Sequence, residues 1–320
     1  MLRALAAWRA LRPDAPGPER VQVLLSKKKS AICRLSVRGG PLIAKRAELR
    51  SAELERRLHA EILPELPVSH LRCYGLIECE PDPGYGWLFL EDAGDPSVVL
   101  DDVGDPHEVF ERPEDRPLIA AWLATLHASS AGSPQLVGLP DRGPDGVSRR
   151  LSRGREAILA SLEHPEQPES RDELASILTA LEVLTAHWSE IEDRCHSLPH
   201  TLVHGDFVPK NMSVRDGPEG RELLVYDWEH AGCGLPGQDL AKVDLAHYGA
   251  VLREHWSGVD AIWLRRLRDT GRYFRLVAEI DWAATRLCLR GSEYFVQELQ
   301  QHAGELETRF LAEGWATGRG

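Results

Sequence analysis

Apolar and polar positions change their period along the chain, and the changes divide it. From Val21 to Ala47 the apolar residues fall in short runs: VQVLL, then AICRLSV with a period of two, then PLIAKRA. A period of two marks a strand with one buried face. The polar KKKS and the pair Gly39-Gly40 separate the runs. Glycine takes positive φ without a steric penalty, so a three-stranded antiparallel meander is predicted. The period then shifts. AELRSAELERRLHAEIL is rich in good helix formers, and Leu54, Leu58 and Ile62 share one helical face, which predicts a helix closed by Pro64 and Pro67. CYGLIEC and GWLFLED, on either side of the turn former PDPGYG, predict two further strands. Five strands with one main helix make an α+β unit of roughly ninety residues.

Beyond Asp92 the character changes. AGDPSVVLDDVGDP is a turn-rich link, and from Arg116 helical periods dominate. LIAAWLATLHA predicts a core helix, HPEQPESRDE an exposed loop, and DELASILTALEVLTAHWSEIEDR one long amphipathic helix. TLVHGDF and ELLVYDW flank the turn RDGPEG and predict a small hairpin, and the chain after Gly237 again reads as helix. The predicted organisation is a strand-rich unit over residues 1–92 and a largely helical one over 93–320.

Composition removes several function classes. The chain has 320 residues and a net charge of −12, against the basic stripe of a nucleic-acid binder. Its six cysteines, Cys33, Cys73, Cys79, Cys195, Cys233 and Cys288, form no C-x-x-C pair, so neither a zinc site nor a redox dithiol is expected. Scattered thiols fit a reducing cytoplasm, the expected location. The N-terminal MLRALAAWRALRPDAPG is broken by Arg3, Trp8, Arg9 and Arg12 and reads as a short amphipathic helix stopped by Pro13 and Pro16, not as a signal peptide. No apolar run approaches the ~20 residues that span a bilayer.

The stretch HTLVHGDFVPKNMSVRDGPEGRELLVYDWEHAG carries the chemistry. Phosphoryl transfer needs one carboxylate at the attacking hydroxyl, and an amide oxygen with a second carboxylate to hold Mg²⁺ against nucleotide phosphates. Asp206, Asn211 and Asp227 are those residue types, and a turn between short strands brings them to one point. The spacing from Asp206 to Asn211 equals that of the D-x-x-x-x-N kinase catalytic loop.

HGDFVPKN followed by YDWE resembles the signatures of the aminoglycoside phosphotransferase and choline-kinase-like superfamily. LATLH ending at His127, the hinge-like WLFLED, and GQDLAKV with Asp239 resemble further family segments, in order from about Val21 to Val243. The resemblance implies a bilobal protein-kinase-like fold, a five-stranded N-lobe followed by a mostly helical C-lobe, and ATP-dependent transfer to a small-molecule hydroxyl. ATP and Mg²⁺ are the implied cofactors, with GTP left open. Asp206 would be the catalytic base, Asn211 and Asp227 the metal ligands, and Lys45 the partner of the α/β-phosphates. Glu55 would hold Lys45 by an ion pair, with Glu53 next in line, and the main chain of Leu90 and Asp92 would meet the adenine edge. The phosphate loop departs from the family pattern: it reads LLSKKKSAI without glycine, leaving Ser26 and Ser30 as hydrogen-bond donors to phosphate.

Other residues have bland readings. His204 would position the loop, Asp239 would brace it by accepting backbone N–H groups, and His127 would be a core histidine. Lys210 is divided between the γ-phosphate and solvent, Glu229 between a second metal and solvent. Glu279 and Asp281 beside Trp282, with Glu293 beside Tyr294, are divided between an acidic, aromatic pocket for a cationic acceptor and the core and solvated faces of ordinary helices. Aminoglycoside, amino alcohol and sugar stay open as acceptors. The rival reading is a nucleotide-binding regulator without turnover; a protein kinase is disfavoured by HGD in place of HRD and by the lack of D-F-G and A-P-E.

Overall fold

A computed structural model of the chain describes residues 2–27, 30–79, 82–94, 113–163, 170–217, 220–290 and 292–315. Lys28 and Lys29 of the expected phosphate loop, the link over 95–112, the loop over 164–169 and Pro218-Glu219 of the predicted hairpin turn lie outside the described residues. The elements, in chain order, are α1 (Leu2–Leu11), β1 (Arg20–Ser26), β2 (Ala31–Val37), β3 (Gly40–Glu48), α2 (Leu49–Arg57), β4 (Cys73–Glu78), β5 (Tyr85–Glu91), α3 (Arg116–Ser130), β6 (Asp141–Arg142) and α4 (Pro144–Glu163). There follow α5 (Arg171–Ala186), α6 (Trp188–Cys195), β7 (Thr201–Val203), β8 (Met212–Gly217), β9 (Gly220–Val225), β10 (Gly232–Gly234), α7 (Leu245–Leu252), α8 (Ala261–Arg290) and α9 (Glu293–Glu313). Contacts group the chain into two compact units, Met1–Gln135 with Asp206–Ala231 and Lys242–Ser257, and Leu136–Gly205 with Gly232–Ala241 and Gly258–Gly320.

The first unit is built on a five-stranded antiparallel sheet in the order β1-β2-β3-β5-β4. The three-stranded meander forms as the alternation predicts, while β4 takes the outer edge and β5 returns between it and β3. Alternation along β3 sorts the two faces. Leu42 and Ala44 pack with Cys33, Leu35 and Phe89 beneath Ala4 and Trp8 of α1. Ala47 shares the opposite face with Leu88, Leu90 and Ala52 of α2. Lys45 lies on this second face, opposite Ile32 and Leu88, so the pleat aims it at α2.

The predicted helix begins two residues late, because Ala47 and Glu48 complete β3. It runs on through a π turn (Leu58–Ile62) and a 3₁₀ turn (Leu63–Glu65). Its buried line is Ala52, Glu55, Leu58, His59 and Ile62, with Leu54 half-buried. An acid occupies the core-facing stripe, which hydrophobic periodicity alone does not reveal.

The β8–β9 hairpin belongs to the same unit, and here the strand reading is corrected. TLVHGDF is not a hairpin arm: β8 pairs with β9, while β7 pairs with β10. The polar-tailed NMSVRDG carries too little apolar signal to announce itself as the true partner.

The second unit holds the three-stranded sheet β6-β10-β7 and a core in which Leu151, Ile158, Leu181, Phe274, Val277 and Ile280 pack together. The expected single long helix is two, α5 and α6, broken at His187, which stacks on Trp315 with ring centroids 4.4 Å apart. Glycines permit two close approaches. A Cβ on Gly271 of α8 would meet the backbone of Gly237, and one on Gly154 of α4 would come within 3.3 Å of the Asp281 Cα.

Candidate active site

Lys45 and Glu55 meet because a strand face and a helix face converge. Lys45 Nζ donates to Glu55 Oε1 at 2.7 Å and also to Asp227 Oδ1. Glu55 is fully buried, and its Oε2 has no hydrogen-bond partner among the described residues. Glu53 is exposed. Burial pushes the Glu55 carboxyl up to about 7, against the pull of Lys45. Burial works against the Lys45 ammonium too, but Glu55 and Asp227 outweigh it and raise its pKa. The lysine is a held cation with two carboxylates on it.

Asp227 follows β9 and sits in the left-handed region, with φ 66° and ψ 55°. It is the one non-glycine with positive φ among the described residues. A non-glycine residue held there carries strain that persists when its surroundings fix it, and such residues cluster at functional sites. The surroundings are specific: Trp228, fully buried, donates its indole N–H to the Val225 carbonyl at 3.1 Å.

The hairpin register brings Asn211 beside this turn. Met212 pairs with Val225, and the Tyr226 N–H donates to the Asn211 carbonyl at 3.0 Å. Asn211 therefore stands across from the residue preceding Asp227. Its Nδ2 donates to both the main-chain carbonyl and the Oδ2 of Asp206, each at 2.9 Å. With Nδ2 so committed, Oδ1 is the atom left to accept or to ligate. Lys210 Nζ lies 3.2 Å from Asp206 Oδ2. Burial, then the charges of Asp227 and Asp92, push the Tyr226 hydroxyl up to about 12. The three residues of the motif are thus linked through one hairpin.

Among the described residues no group of three His, Cys, Asp or Glu is gathered to hold a metal. Asn211 Oδ1 and the Asp227 carboxylate, the two groups the sequence puts forward as ligands, are hard oxygens. Oxygens of this kind would suit magnesium, which takes one or two protein oxygens and completes its shell with phosphate and water.

The residue before Asp206 is braced in the second unit. Asp239 Oδ2 accepts from the His204 N–H at 2.7 Å and Oδ1 from the Gly205 N–H at 2.9 Å. From the other side, Arg275 of α8 donates to the Gly205 carbonyl and is itself held by Glu279 Oε1 at 2.7 Å. Asp239 was legible in the sequence, but Arg275 was not. Its sole signal is an i,i+4 pairing with Glu279, which any surface helix shows. His127 is a core histidine, fully buried, with Nδ1 2.9 Å from the Tyr248 hydroxyl.

The remaining sequence candidates are placed as follows. Leu90 lies inside the ladder, opposite Ile43 and Cys73. Asp92 is one residue past the end of β5, its carboxylate accepting from the Gly94 N–H at 3.0 Å and paired with Arg34. Ser213 Oγ donates to the Ala93 carbonyl at 3.1 Å, tying this segment to β8. Ser30 closes the β1–β2 turn, its carbonyl accepting from the Lys27 N–H at 2.8 Å. The acidic acceptor pocket does not form as expected. Asp281 is buried against Arg153, Glu279 binds Arg272 and Arg275, and Tyr294 donates to Glu298 at 2.6 Å. Helical acids on a partly buried face have attracted arginines instead of leaving a vacancy for an amine.

Comparison with known proteins agrees with this architecture. Solved structures with the same fold include the GDP complex of wild-type aminoglycoside 2′-phosphotransferase-IIIa (TM-score 0.63, 13% identity, 96% of this chain and 98% of that one). A choline kinase from Cryptosporidium parvum Iowa II matches with TM-score 0.61 and 11% identity over 93% of this chain and 91% of that one. A microcompartment-associated aminopropanol kinase matches with TM-score 0.61 and 16% identity over 98% of each chain. No curated protein sequence matches the chain. The fold is therefore the kinase-like α+β fold of small-molecule phosphotransferases. The profile of the phosphotransferase enzyme family matches residues 19–288, and the chain belongs to that family. No helix among the described residues is long and apolar enough to cross a membrane.

Proposed function

We propose that this small-molecule kinase moves the γ-phosphoryl group of ATP to a hydroxyl of its acceptor, with Mg²⁺ as the metal. One observation carries the reading: Asn211 is bonded to Asp206 while the hairpin holds its main chain opposite Tyr226, the neighbour of Asp227. Residues 1–92 are assigned to nucleotide binding and 93–320 to the catalytic loop and acceptor. Lys45, held by Glu55, binds the α/β-phosphates. Leu90 and Asp92 belong to the segment along the adenine edge, and Ser30 to the phosphate loop. Asn211 and Asp227 hold the magnesium ion, which when bound offsets phosphate charge. Asp206 orients the acceptor hydroxyl and takes its proton as the oxygen attacks. Bound GDP in one neighbour and bound ADP in a spectinomycin phosphotransferase support a nucleotide site.

The test is acceptor-dependent ADP release across a panel of hydroxyl compounds, run with ATP and with GTP. Asp206→Asn should abolish turnover and keep Mg-ATP affinity, while Asp227→Ala should lose metal-dependent nucleotide binding. Wild-type phosphorylation by Asp206→Asn would show that the carboxylate has another role.

A further inference from the structure

Each of the two aspartates is followed directly by an aromatic residue, Phe207 after Asp206 and Trp228 after Asp227. Both rings are buried, and both meet the same third ring. Trp122 of α3 stacks on Phe207 with centroids 6.1 Å apart and planes 14° from parallel. It meets Trp228 at 6.4 Å with a tilt of 50°. Both separations lie within the roughly 4.5–7 Å over which aromatic pairs attract. Trp122, Asp206, Phe207, Asp227 and Trp228 belong to one compact unit. We infer that Trp122 is a positioning residue for phosphoryl transfer: one indole supports the rings beside both aspartates and so fixes the two carboxylates relative to each other, an assignment that rests on the roles given to them above.

The indole is itself held. Trp122 is buried on the core-facing side of α3 with Ile119, Leu123 and Leu126. Its Nε1–H donates to the Ser69 carbonyl at 3.0 Å, and the Ser69 hydroxyl donates to the Leu223 carbonyl at 2.5 Å. Leu223 lies on β9, the strand that leads into Asp227. The support is therefore tied twice to the Asp227 turn, through Ser69 to the strand before it and through the ring of the residue after it. The Trp228 indole, in turn, donates to the Val225 carbonyl.

Two consequences join this packing to the chemistry. Asp227 sits at φ 66°, a conformation that a non-glycine residue keeps only where its surroundings hold it. Trp228, packed on Trp122, is part of that hold. Asp206 shares a planar peptide with Phe207, so a ring fixed at 207 leaves the Asp206 main chain little freedom. A displacement of about 1 Å at a reacting group costs about 100-fold in rate. A leucine at 122 would supply apolar bulk, but neither the flat face for two rings nor the N–H for Ser69.

The test uses the full-length protein and the variants Trp122→Leu, Trp122→Phe, Phe207→Leu, the double Trp122→Leu/Phe207→Leu, and Ile158→Ala. Ile158 is fully buried on α4 in the other unit, so its variant lowers stability without touching either aspartate's neighbours. ADP release from Mg-ATP is followed with kanamycin, choline, 1-amino-2-propanol or water as acceptor. Calorimetry gives ADP affinity with and without Mg²⁺, and unfolding midpoints show that each variant is folded. Trp122→Leu should lower kcat about tenfold or more, with KM for ATP within about threefold of wild type. Its gain in ADP affinity from Mg²⁺ should shrink about fivefold or more. Trp122→Phe keeps a ring and should stand between Leu and wild type, which keeps the test open should the Leu variant not fold. The double variant should lose little more kcat than the worse single one, because both changes break one contact. Ile158→Ala should match wild type in kcat and in the Mg²⁺ gain.

Wild-type kcat and Mg²⁺ gain in Trp122→Leu would overturn the role of Trp122. So would losses that multiply in the double variant, or an equal kcat loss in Ile158→Ala, which would reduce the indole to core packing. If ATP is not consumed with any acceptor, the reading of the reaction fails and the Mg²⁺ gain still decides Trp122. If ADP binding ignores Mg²⁺ in the wild type, Asp227 fails as a ligand and the kcat of the double variant decides. Both results together would sink the two readings at once.

Discussion

Asp239 offers the sharpest test of how the catalytic loop is held. It is 2% exposed, and its two oxygens accept the N–H groups of His204 and Gly205 at 2.7 and 2.9 Å. Hydrogen bonds to a charged acceptor contribute about 1.5–3 kcal/mol each, and a buried N–H left unpaired costs a similar amount. Asp239→Ala orphans both donors and should destabilise the protein by about 3–6 kcal/mol. Asp239→Asn keeps one acceptor oxygen and should lose roughly half of that. Urea unfolding of the three proteins gives the stability ladder, and steady-state kinetics give the functional one. Because Gly205 precedes Asp206 in the chain, kcat should fall in both variants while KM for ATP moves little. A drop below about 1 kcal/mol for Asp239→Ala, or equal stability of the Asn and Ala variants, would refute the claim that two separate bonds hold the loop.

Arg275→Ala should lower kcat with little change in KM for ATP, and Arg275→Lys should recover part of it. Equal kcat in all three proteins would remove Arg275 as a positioning residue. Glu55 has its carboxyl lifted to about 7 in the fold from 4.5, so folding favours its protonated form. That contribution is complete below the unfolded value and is lost as pH rises through the folded one. Wild type should therefore lose stability relative to Glu55→Gln between about pH 5 and 8, and parallel stability curves would contradict the assignment. Gly271→Ala drives a methyl into the Gly237 backbone and should cost several kcal/mol in chemical unfolding. Gly304→Ala, in open space within α9, should instead gain roughly 0.5–1 kcal/mol.

The candidate residues were legible as residue types at fixed spacing, Asp206, Asn211 and Asp227, before any fold is known, while the true partner of β9 was not. The sheet was legible because alternation along β2 and β3 is strict. What escaped was whatever depends on contacts between distant segments. Thr201–Val203 looks like a hairpin arm locally, and only the presence of Gly232–Gly234 beside it reveals its partner. Arg153 is one of several arginines in the string SRRLSRGRE, and only the position of Asp281 on α8 reveals its partner. The acids at 279 and 281 were read by charge alone, which does not show that arginines on neighbouring turns and helices neutralise them.

The two compact units interleave along the chain, with boundaries after residues 135, 205, 231, 241 and 257. Five covalent threads therefore join them, and one passes between Gly205 and Asp206. A proteolytic nick or a truncation at residue 92 would not release an intact half, because β8, β9 and Asp227 reach the first unit from more than a hundred residues downstream. Splitting this enzyme into complementing fragments will require cuts placed by contact rather than by sequence order, and the link from 205 to 206 is the one that must stay whole.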